Sequence, residues 1–491
     1  MATVSPHAAR PGRSLELLLL LPALGLGVGA YALVGISTAG AMPADIVGYS
    51  VGLVALALGM HVVLRWRAPY ADPVILPVVV ALNGIGLAMI YRLDHAYAAA
   101  GRENATFAER QLSWTAISVV AAAVVLLALR DHRTLRRYTY TAMVAGLLLL
   151  VLPLAPVIGR TINGARIWIH VGPASFQPGE LAKIVLAVFF AGYLVTNRDT
   201  LALAGPRILG LQLPRVRDLG PIVLAWGVSL AVLVFERDLG TSLLFFGLFV
   251  GMLYLATERI SWVVIGVGLF IGGAALAAQT FGHVATRFEV WLHALDDDVF
   301  NANPGSGQLV RGLYGMASGG LFGTGLGEGR PDLVPYAESD FIVASLGEEL
   351  GLTGLLALLV LYVVLAQRGL RTAIGVRDGF GKLFAGGMAF VIAFQCFVVV
   401  GGVTRVIPLT GLTMPFLAYG GSSLLANWII AALLLRISDS ARRPAPPTDP
   451  TPDDDAADDA ADDAVAAAPG PVLPVGSDHE TEVIDLGRGP A

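Results

Sequence analysis

The sequence contains few of the residues on which soluble proteins depend. Only 14% of its 491 residues are charged and 55% are hydrophobic, whereas ordinary soluble domains have about 25% and about 45–50%. It has a single cysteine, Cys396, so an intramolecular disulfide and a zinc site built on cysteines are both excluded. The shortage of charge and the surplus of apolar residues exclude an ordinary soluble protein and indicate a membrane protein.

The net charge of −5 combines two parts of opposite sign. The segment from Ser438 onward carries 13 acidic residues and 3 arginines, so the body before it is +5 and the tail is −10. A mildly basic body suits the anionic inner surface of a membrane, and it lacks the clustered basic face of a nucleic-acid binder. We therefore expect membrane lipids around the protein and no nucleic-acid partner.

Apolar windows long enough to cross a bilayer predict an all-α, polytopic membrane protein with about twelve transmembrane helices. The first window is too long for a signal peptide and another follows at once, so it is interpreted as an anchor. With the amino terminus inside, the inner loops and termini hold 20 basic residues and the outer loops 10, which satisfies the positive-inside rule and places both termini in the cytoplasm. The windows are 15–36, 46–64, 73–90, 114–129, 138–158, 178–196, 220–235, 239–256, 262–281, 341–367, 381–403 and 414–437.

Two segments stand apart from the predicted helices. The loop at 282–340 is far longer than an ordinary connection and is predicted to lie outside, where long ordered loops tend to carry function. The tail at 439–491 is rich in Asp, Ala and Pro, and we expect it to be disordered in the cytoplasm.

A pair of opposite charges falls inside one predicted span, where a lone charge costs about 2.5 to 3.5 kcal/mol. Glu180 and Lys183 follow Pro178, and their i, i+3 spacing places them on one face of a helix. They form either a structural ion pair or the lining of a polar cavity, and the sequence alone leaves both open.

Three further features lie near the ends of predicted spans. Arg166 stands beside Trp168 and suits a phosphate or diphosphate, although a snorkelling arginine in an aromatic belt gives the same pattern. Asp238 precedes a span at a sharp turn and is either a helix cap or a site residue. The stretch 414–423 combines the helix-breaking Pro415 with small residues, which favours close helix packing over direct ligand contact.

The most informative stretch ends the long outer loop, where the glycine-rich residues 319–327 lead into the next span. Ser339 or Asp340 would serve as a helix N-cap; alternatively, Asp340 is a general base held at the outer membrane surface. Glu348 and Glu349 follow inside or near the bilayer, where acids are unexpected. No Walker loop, HExxH, GxSxG or Rossmann fingerprint appears in its required context, so ATP-driven and zinc chemistry have no support.

Taken in order, these motifs resemble those of the SEDS family of shape, elongation, division and sporulation proteins, which includes RodA, FtsW and SpoVE. The resemblance covers about 73–438, leaving 1–72, with the first two helices, as an addition of unassigned purpose to a core of about ten spans. Two stretches, Phe-Gln-Pro-Gly-Glu-Leu and Pro-Leu-Thr-Gly-Leu-Thr, look more like RodA than FtsW members. The motifs that carry the resemblance are 164–169, 176–183, 238–241, 319–327, 339–341, 348–351 and 419–423.

The resemblance implies a glycosyltransferase that polymerises lipid II into peptidoglycan strands at the outer face of the bacterial cytoplasmic membrane, acting with a class B penicillin-binding transpeptidase. It places the family's essential aspartate on Asp340, with Ser339 where threonine is usual. Gly179, Arg237 and Ala418 depart from the family pattern, and none of these departures removes a charge. The implied substrate-binding residues are Arg166, Gln177, Glu180, Lys183, Asp238, Tyr419 and Ser422.

The resemblance also implies a division of chemical roles. Asp340 would accept the proton of the acceptor sugar's 4-hydroxyl, while Arg166 and Lys183, the latter held by Glu180, would stabilise the diphosphate leaving group. A divalent cation, Mg²⁺ or Mn²⁺, could assist the diphosphate, although the sequence shows no ligand cluster for it. The alternatives are a flippase or transporter for the lipid precursor, a scaffold that recruits a transpeptidase, and a division-type polymerase.

Overall fold

Long apolar helices form most of the computed structural model, as the windows predict. Fourteen α-helices lie within the described part of the chain, and the segments long and apolar enough to span a membrane number eleven there. The structure describes residues 12–102, 106–156, 158–162, 164–172, 174–198, 207–208, 211–212, 227, 231 and 238–444. The helices, numbered over these residues, are α1 Arg13–Ala39, α2 Ile46–Arg67, α3 Ile75–Ala99, α4 Phe107–Ala128, α5 Thr139–Val151, α6 Pro178–Thr196, α7 Leu239–Thr257, α8 Ile260–Thr280, α9 Gly282–Leu292, α10 Asp297–Asn301, α11 Gly307–Gly319, α12 Ile342–Gly375, α13 Gly379–Val403 and α14 Gly421–Arg442.

The predicted windows and the observed helices agree closely, with two qualifications. Nearly all of the predicted span 220–235 lies outside the described residues. The last window begins too early, because 414–420 is not helical and α14 starts only at Gly421. Pro415 has no backbone amide to donate to a helix, so the chain enters α14 through an irregular segment.

The helices divide into a buried centre and an outer layer. The central helices are α3, α6, α7, α13 and α14, each buried over most of its apolar stretch, whereas α1, α2, α4, α8 and α12 are buried over only a third of theirs or less. Exposed leucine, isoleucine and valine side chains on the outer helices are expected where lipid is the solvent. Large buried side chains such as Phe189, Phe245 and Phe384 fill the centre.

Hydrogen bonds between distant segments define two ends of the bundle. At one end, Tyr70 N donates to Asp439 Oδ1 (2.9 Å), and His132 Nε2 lies 2.8 Å from Asp378 Oδ2. At the other end lie the starts of α6, α7, α12 and α14, together with the end of α3. Most of the predicted site residues fall at this second end, which we call the site end.

The connections at the site end contain more regular structure than the sequence indicated. Strands β1 Gly159–Ile162, β2 Ala165–Val171 and β3 Ala174–Phe176 form an antiparallel sheet of order β1-β2-β3, and β3 leads directly into α6. The predicted long loop is itself helical over α9, α10 and α11. Away from these connections, after the other end of α6, β4 Arg207–Ile208 pairs with β5 Leu211–Gln212.

Candidate functional site

Asp340 lies immediately before the cap position of α12, at the site end. That position is Phe341, and no side chain bonds a helix amide there, so the N-cap alternative for Ser339 and Asp340 is wrong. The carboxylate Oδ1 instead accepts a hydrogen bond from Ser339 Oγ (3.1 Å). Phe341 is fully buried and anchors the backbone at the start of α12. The carboxylate of Asp340 is half-buried and does not cap the helix.

The surroundings of Asp340 raise its basicity. Burial raises the pKa of the Asp340 carboxyl, the Ser339 hydrogen bond and a backbone hydrogen bond lower it, the charge of Glu338 raises it and the charge of Arg287 lowers it, and the net result is a pKa of about 6. A general base works best when its pKa is near the working pH, because it is then ionised and still basic enough to take a proton. Asp340 meets both conditions at neutral pH.

Arg287 is a residue that the sequence analysis did not single out. It lies on α9, and its guanidinium Nη1 donates to the carbonyls of Leu409 (3.0 Å) and Thr410 (3.2 Å). Its charge acts on both Asp238 and Asp340, and burial lowers the pKa of Arg287 itself. The available signal was the number of arginines in the predicted outer loops, which is high for that side of the membrane.

Asp238 is both a helix cap and a member of the charged group. Its Oδ1 accepts from the Thr241 amide (2.9 Å) at the start of α7, which confirms the cap interpretation. Burial raises the pKa of Asp238, the Thr241 hydrogen bonds and the charge of Arg287 lower it, and the charge of Glu180 raises it. Asp340, Arg287, Asp238 and Glu180 are therefore linked electrostatically in that order.

The pair Glu180 and Lys183 ends this series inside the bundle. Lys183 Nζ lies 2.6 Å from Glu180 Oε2 within α6, and their side chains are 2% and 7% exposed. Lys183 Nζ also donates to Gln395 Oε1 on α13 (3.1 Å), and Gln395 Nε2 donates to the Thr413 carbonyl (2.9 Å). The structural ion pair is thus present and is tied to a second helix. We call Asp340, Arg287, Asp238, Glu180 and Lys183 the charged series.

Three of the predicted residues join the segments around the charged series. The backbone amide of Gln177 donates to Ser422 Oγ (2.9 Å), and this bond joins the start of α6 to the first turn of α14. The Tyr419 amide donates to the carbonyl of Glu338 (2.8 Å), two residues before Asp340. Tyr97 Oη of α3 donates to the Glu338 carboxylate (2.7 Å), so two neighbours fix the segment that carries Asp340.

Arg166 stands apart from the charged series in this structure. It lies on β2, and its Nη2 donates to the carbonyl of Ala155 (3.2 Å). Its side chain is half-buried, and its neighbour Trp168 pairs across the sheet with Arg160. A contact between Arg166 and a diphosphate therefore stays a prediction.

A break in α12 explains the glycine-rich stretch. At Gly351 the helix has φ +68°, a conformation that strains any residue with a Cβ, and the four backbone groups around the break bond the glycine loop, residues 320–330. The amides of Leu352 and Thr353 donate to loop carbonyls at 2.9 and 3.0 Å, and the carbonyls of Glu348 and Glu349 accept from loop amides at 2.9 and 3.0 Å. The loop thus satisfies backbone groups that a continuous helix would have satisfied itself.

The two acids near the bilayer, Glu348 and Glu349, hold the same loop by their side chains. Glu348 Oε1 accepts from the amide of Arg330 (2.7 Å), and Glu349 Oε2 accepts from the amide of Gly327 (2.9 Å). Arg92 Nε donates to Glu349 Oε1 (2.8 Å). Their place in the chain is therefore explained by structure, as acids that order the loop leading to Asp340.

Among the described residues, one cavity lies away from the ion pair, and no cluster of metal-ligating side chains is formed. A cavity of about 410 Å³ lies between the end of α1, the glycine loop and the break in α12, and neither Glu180 nor Lys183 lines it. Over the described ranges, no group of three or more His, Cys, Asp or Glu side chains is placed to hold a metal ion. These residues thus do not provide a donor set for a cation held by the protein alone.

Comparison with known proteins gives a consistent result. The model of the FtsW/RodA/SpoVE family, described as a cell cycle protein, matches residues 73–443. The chain is 49% identical to the peptidoglycan glycosyltransferase RodA of Mycobacterium tuberculosis (strain ATCC 25618 / H37Rv) over 434 residues, covering 88% of this chain and 92% of that protein. It is 34% identical to the stage V sporulation protein E of Bacillus subtilis over 379 residues, covering 76% and 98%.

Solved structures show the same similarity. The rod shape determining protein RodA of Thermus thermophilus is 28% identical with a TM-score of 0.53, covering 76% of this chain and 98% of that one. A chain from a peptidoglycan synthase complex, described as coordinating polymerization and crosslinking, is 27% identical with a TM-score of 0.59, again covering 76% and 98%.

Proposed function

Because this chain belongs to the FtsW/RodA/SpoVE family, we propose that Asp340 is the general base of its glycosyl transfer reaction. The protein is a multi-pass membrane glycosyltransferase of peptidoglycan synthesis, and its high identity to RodA proteins associates it with cell shape. The observation that carries the proposal for Asp340 is its half-buried carboxylate, with a pKa near 6, that caps no helix and is close enough to Arg287 to be influenced by its charge.

The proposed substrate is lipid II, and the proposed site of reaction is the outer face of the cytoplasmic membrane. The acceptor sugar's 4-hydroxyl oxygen attacks the donor's anomeric carbon and forms the new glycosidic bond. The bond from that carbon to the diphosphate oxygen breaks, and undecaprenyl diphosphate leaves with the electron pair. Asp340 takes the hydroxyl proton as the oxygen attacks, and because the attack is on the face opposite the leaving diphosphate, the anomeric configuration of the donor is inverted.

Positive charge near the leaving group would stabilise the transition state, because negative charge develops on the diphosphate. Arg166 and Lys183 are the proposed cations, and Glu180 holds Lys183 Nζ at 2.6 Å. Lys183 is 1% exposed, so direct contact with a diphosphate requires the side chains that cover its ammonium group to move. Arg287, which lies closer in the charged series to Asp340, keeps the base ionised by lowering its pKa.

Gln177, Asp238, Tyr419 and Ser422 complete the proposed substrate-binding group. The bonds of Gln177, Ser422 and Tyr419 join the starts of α6 and α14 and the segment before α12, and Asp238 caps the start of α7. A substrate bound at this end would therefore contact elements from four parts of the chain, each fixed by a bond that involves one of these residues or Tyr97.

The proposed partner is a class B penicillin-binding transpeptidase, which crosslinks the strands that this protein makes. The support is the similarity to a chain of a synthase complex in which polymerization and crosslinking are coordinated. The proposed orientation, with both termini in the cytoplasm and the site end outside, rests on the excess of basic residues in the predicted inner loops.

The test is polymerisation of lipid II by the purified full chain together with its transpeptidase. Asp340→Asn keeps the size of the side chain but cannot accept the proton as a carboxylate does, so we expect no glycan from a folded preparation. Ser339→Ala is the matched control, because it changes the adjacent residue and leaves the carboxylate in place. Polymerisation by Asp340→Asn at the rate of the unmodified protein would exclude Asp340 as the base.

A further inference from the structure

The end of α1 touches the glycine loop, although α1 lies outside the region matched by the family model. Ser37 Oγ is within reach of three carbonyl oxygens, and the nearest is that of Leu326 in the loop, at 2.6 Å; those of Leu33 and Val34, in α1 itself, are at 2.9 and 3.2 Å. The next residue, Gly327, has φ +94°, and a Cβ added there would overlap Ser37. The loop therefore approaches α1 more closely than a residue with a side chain would allow.

The same point of the loop is held from the opposite direction. Glu349 Oε2 accepts from the Gly327 amide (2.9 Å), and Glu349 Oε1 accepts from Arg92 Nε (2.8 Å). Arg92 Nη2 also donates to the carbonyl of Gly329 (2.7 Å). Arg92 and Glu349 are 6% and 1% exposed, so this ion pair is shielded from water and well ordered by its hydrogen bonds. The loop is thus held by contacts with α1 on one side and with α3 and α12 on the other.

The glycine loop leads along the chain to Asp340, the proposed base. Asp340 lies ten positions after Arg330, which ends the loop. That connection is itself fixed on α3, because Tyr97 Oη donates to Glu338 (2.7 Å). One helix, α3, therefore holds both the loop, through Arg92, and the segment next to Asp340, through Tyr97. A shift of the loop relative to α3 would therefore displace the segment that carries the Asp340 carboxylate.

Contacts along α1 make it a firm support for the loop. Near its middle, α1 crosses α3 at Gly27 and Gly84, where a Cβ on either glycine would lie 2.9 Å from the other's Cα. At its opposite end, Arg13 Nη1 and Glu16 Oε2 lie 2.5 Å apart, and His61 Nδ1 of α2 lies 2.7 Å from Glu16 Oε1. These contacts fix α1 against α2 and α3 before it reaches the loop.

We propose that Ser37, at the end of α1, is a positioning residue for glycosyl transfer, which acts through the glycine loop to keep Asp340 in its reactive place. In this proposal the two added helices, α1 and α2, restrain the glycine loop on a side where the core helices do not contact it. This inference rests on the function proposed above, since the carboxylate that it positions is the proposed base.

The test compares two adjacent hydroxyl groups on α1. Ser37→Ala removes the hydroxyl that bonds Leu326, whereas Thr38→Val removes one that bonds only Val34 in its own helix (2.6 Å) and keeps its shape. Both residues are partly exposed at a helix end, so both variants are expected to fold. Ser37→Thr retains a hydroxyl at the same position and serves as the rescue.

The assay is lipid II polymerisation by the full chain with its transpeptidase. Loss of one hydrogen bond corresponds to about a fivefold fall in kcat for Ser37→Ala. The KM for lipid II should not change, because Ser37 belongs neither to the charged series nor to the proposed substrate-binding residues. Thr38→Val should match the unmodified protein and Ser37→Thr should recover most of the rate. Amide hydrogen exchange in the glycine loop should be faster in Ser37→Ala only.

The outcomes separate this inference from the proposed function. Unchanged kcat and loop exchange in Ser37→Ala, while Asp340→Asn is inactive, would overturn the positioning role alone. An equal fall in kcat for Thr38→Val, or no recovery in Ser37→Thr, would also overturn it. An active Asp340→Asn would overturn the proposed base, whatever Ser37→Ala does.

Discussion

Replacing Lys183 with methionine is expected to lower the free energy of unfolding by about 3–5 kcal/mol, because it leaves a buried carboxylate without its cation. Glu180 Oε2 lies 2.6 Å from Lys183 Nζ, and the two side chains are 7% and 2% exposed. The change also removes the donor to Gln395 Oε1. Equilibrium unfolding by SDS in mixed micelles measures the difference between the variant and the unmodified protein.

A second variant separates the lost charge pair from lost packing. The double change Glu180→Gln with Lys183→Met removes both charges at nearly constant volume, and such replacements are often neutral. We expect the double variant to recover all but about 1–2 kcal/mol, the remainder reflecting imperfect hydrogen bonding of the new amide. A single variant within about 1 kcal/mol of the unmodified protein, or a double variant no more stable than the single, would refute the reasoning.

Three further predictions concern the groups around Asp340. The Ser339 hydrogen bond lowers the pKa of Asp340, so Ser339→Ala should move the acid limb of kcat/KM to higher pH; an unmoved limb over about pH 5 to 8 would contradict this. Arg287→Gln should move the same limb in the same direction and Arg287→Lys much less, because the charge of Arg287 also lowers that pKa; equal profiles for the two variants would contradict it. Asp238→Ala should cost about 1 kcal/mol of stability through loss of the cap on the Thr241 amide, and Asp238→Asn only a fraction of that; SDS titration distinguishes the two.

The sequence predicted the features that depend on composition and on local residue spacing. Apolar windows located the helices, since a segment that spans lipid must satisfy its own backbone hydrogen bonds. The i, i+3 spacing of Glu180 and Lys183 predicted their contact on one helix face, which the structure confirms. For Asp340 the sequence left two interpretations open, and only the geometry of the helix start excluded the cap.

The features that the sequence missed depend on contacts between distant segments. Arg287 stands 53 residues before Asp340, and its charge acts on that carboxylate only in the folded chain, where its guanidinium is held by the carbonyls of Leu409 and Thr410. Two acids near the bilayer, Glu348 and Glu349, were unexpected in the sequence because their partners lie in other segments. These partners are amides of the glycine loop and Arg92 on α3. The sheet before α6 consists of strands of three to seven residues, too short to give a clear alternating pattern.

The most direct test of the account is the rate of glycan formation from lipid II by Asp340→Asn, measured with the full chain and its transpeptidase across the pH range that spans about 6, the pKa of Asp340. The unmodified protein should lose activity as the pH falls through that value, because a general base must be ionised to accept a proton. Asp340→Asn should make no glycan at any pH while remaining folded. Glycan made by Asp340→Asn with the same pH profile as the unmodified protein would contradict the assignment of Asp340 as the base.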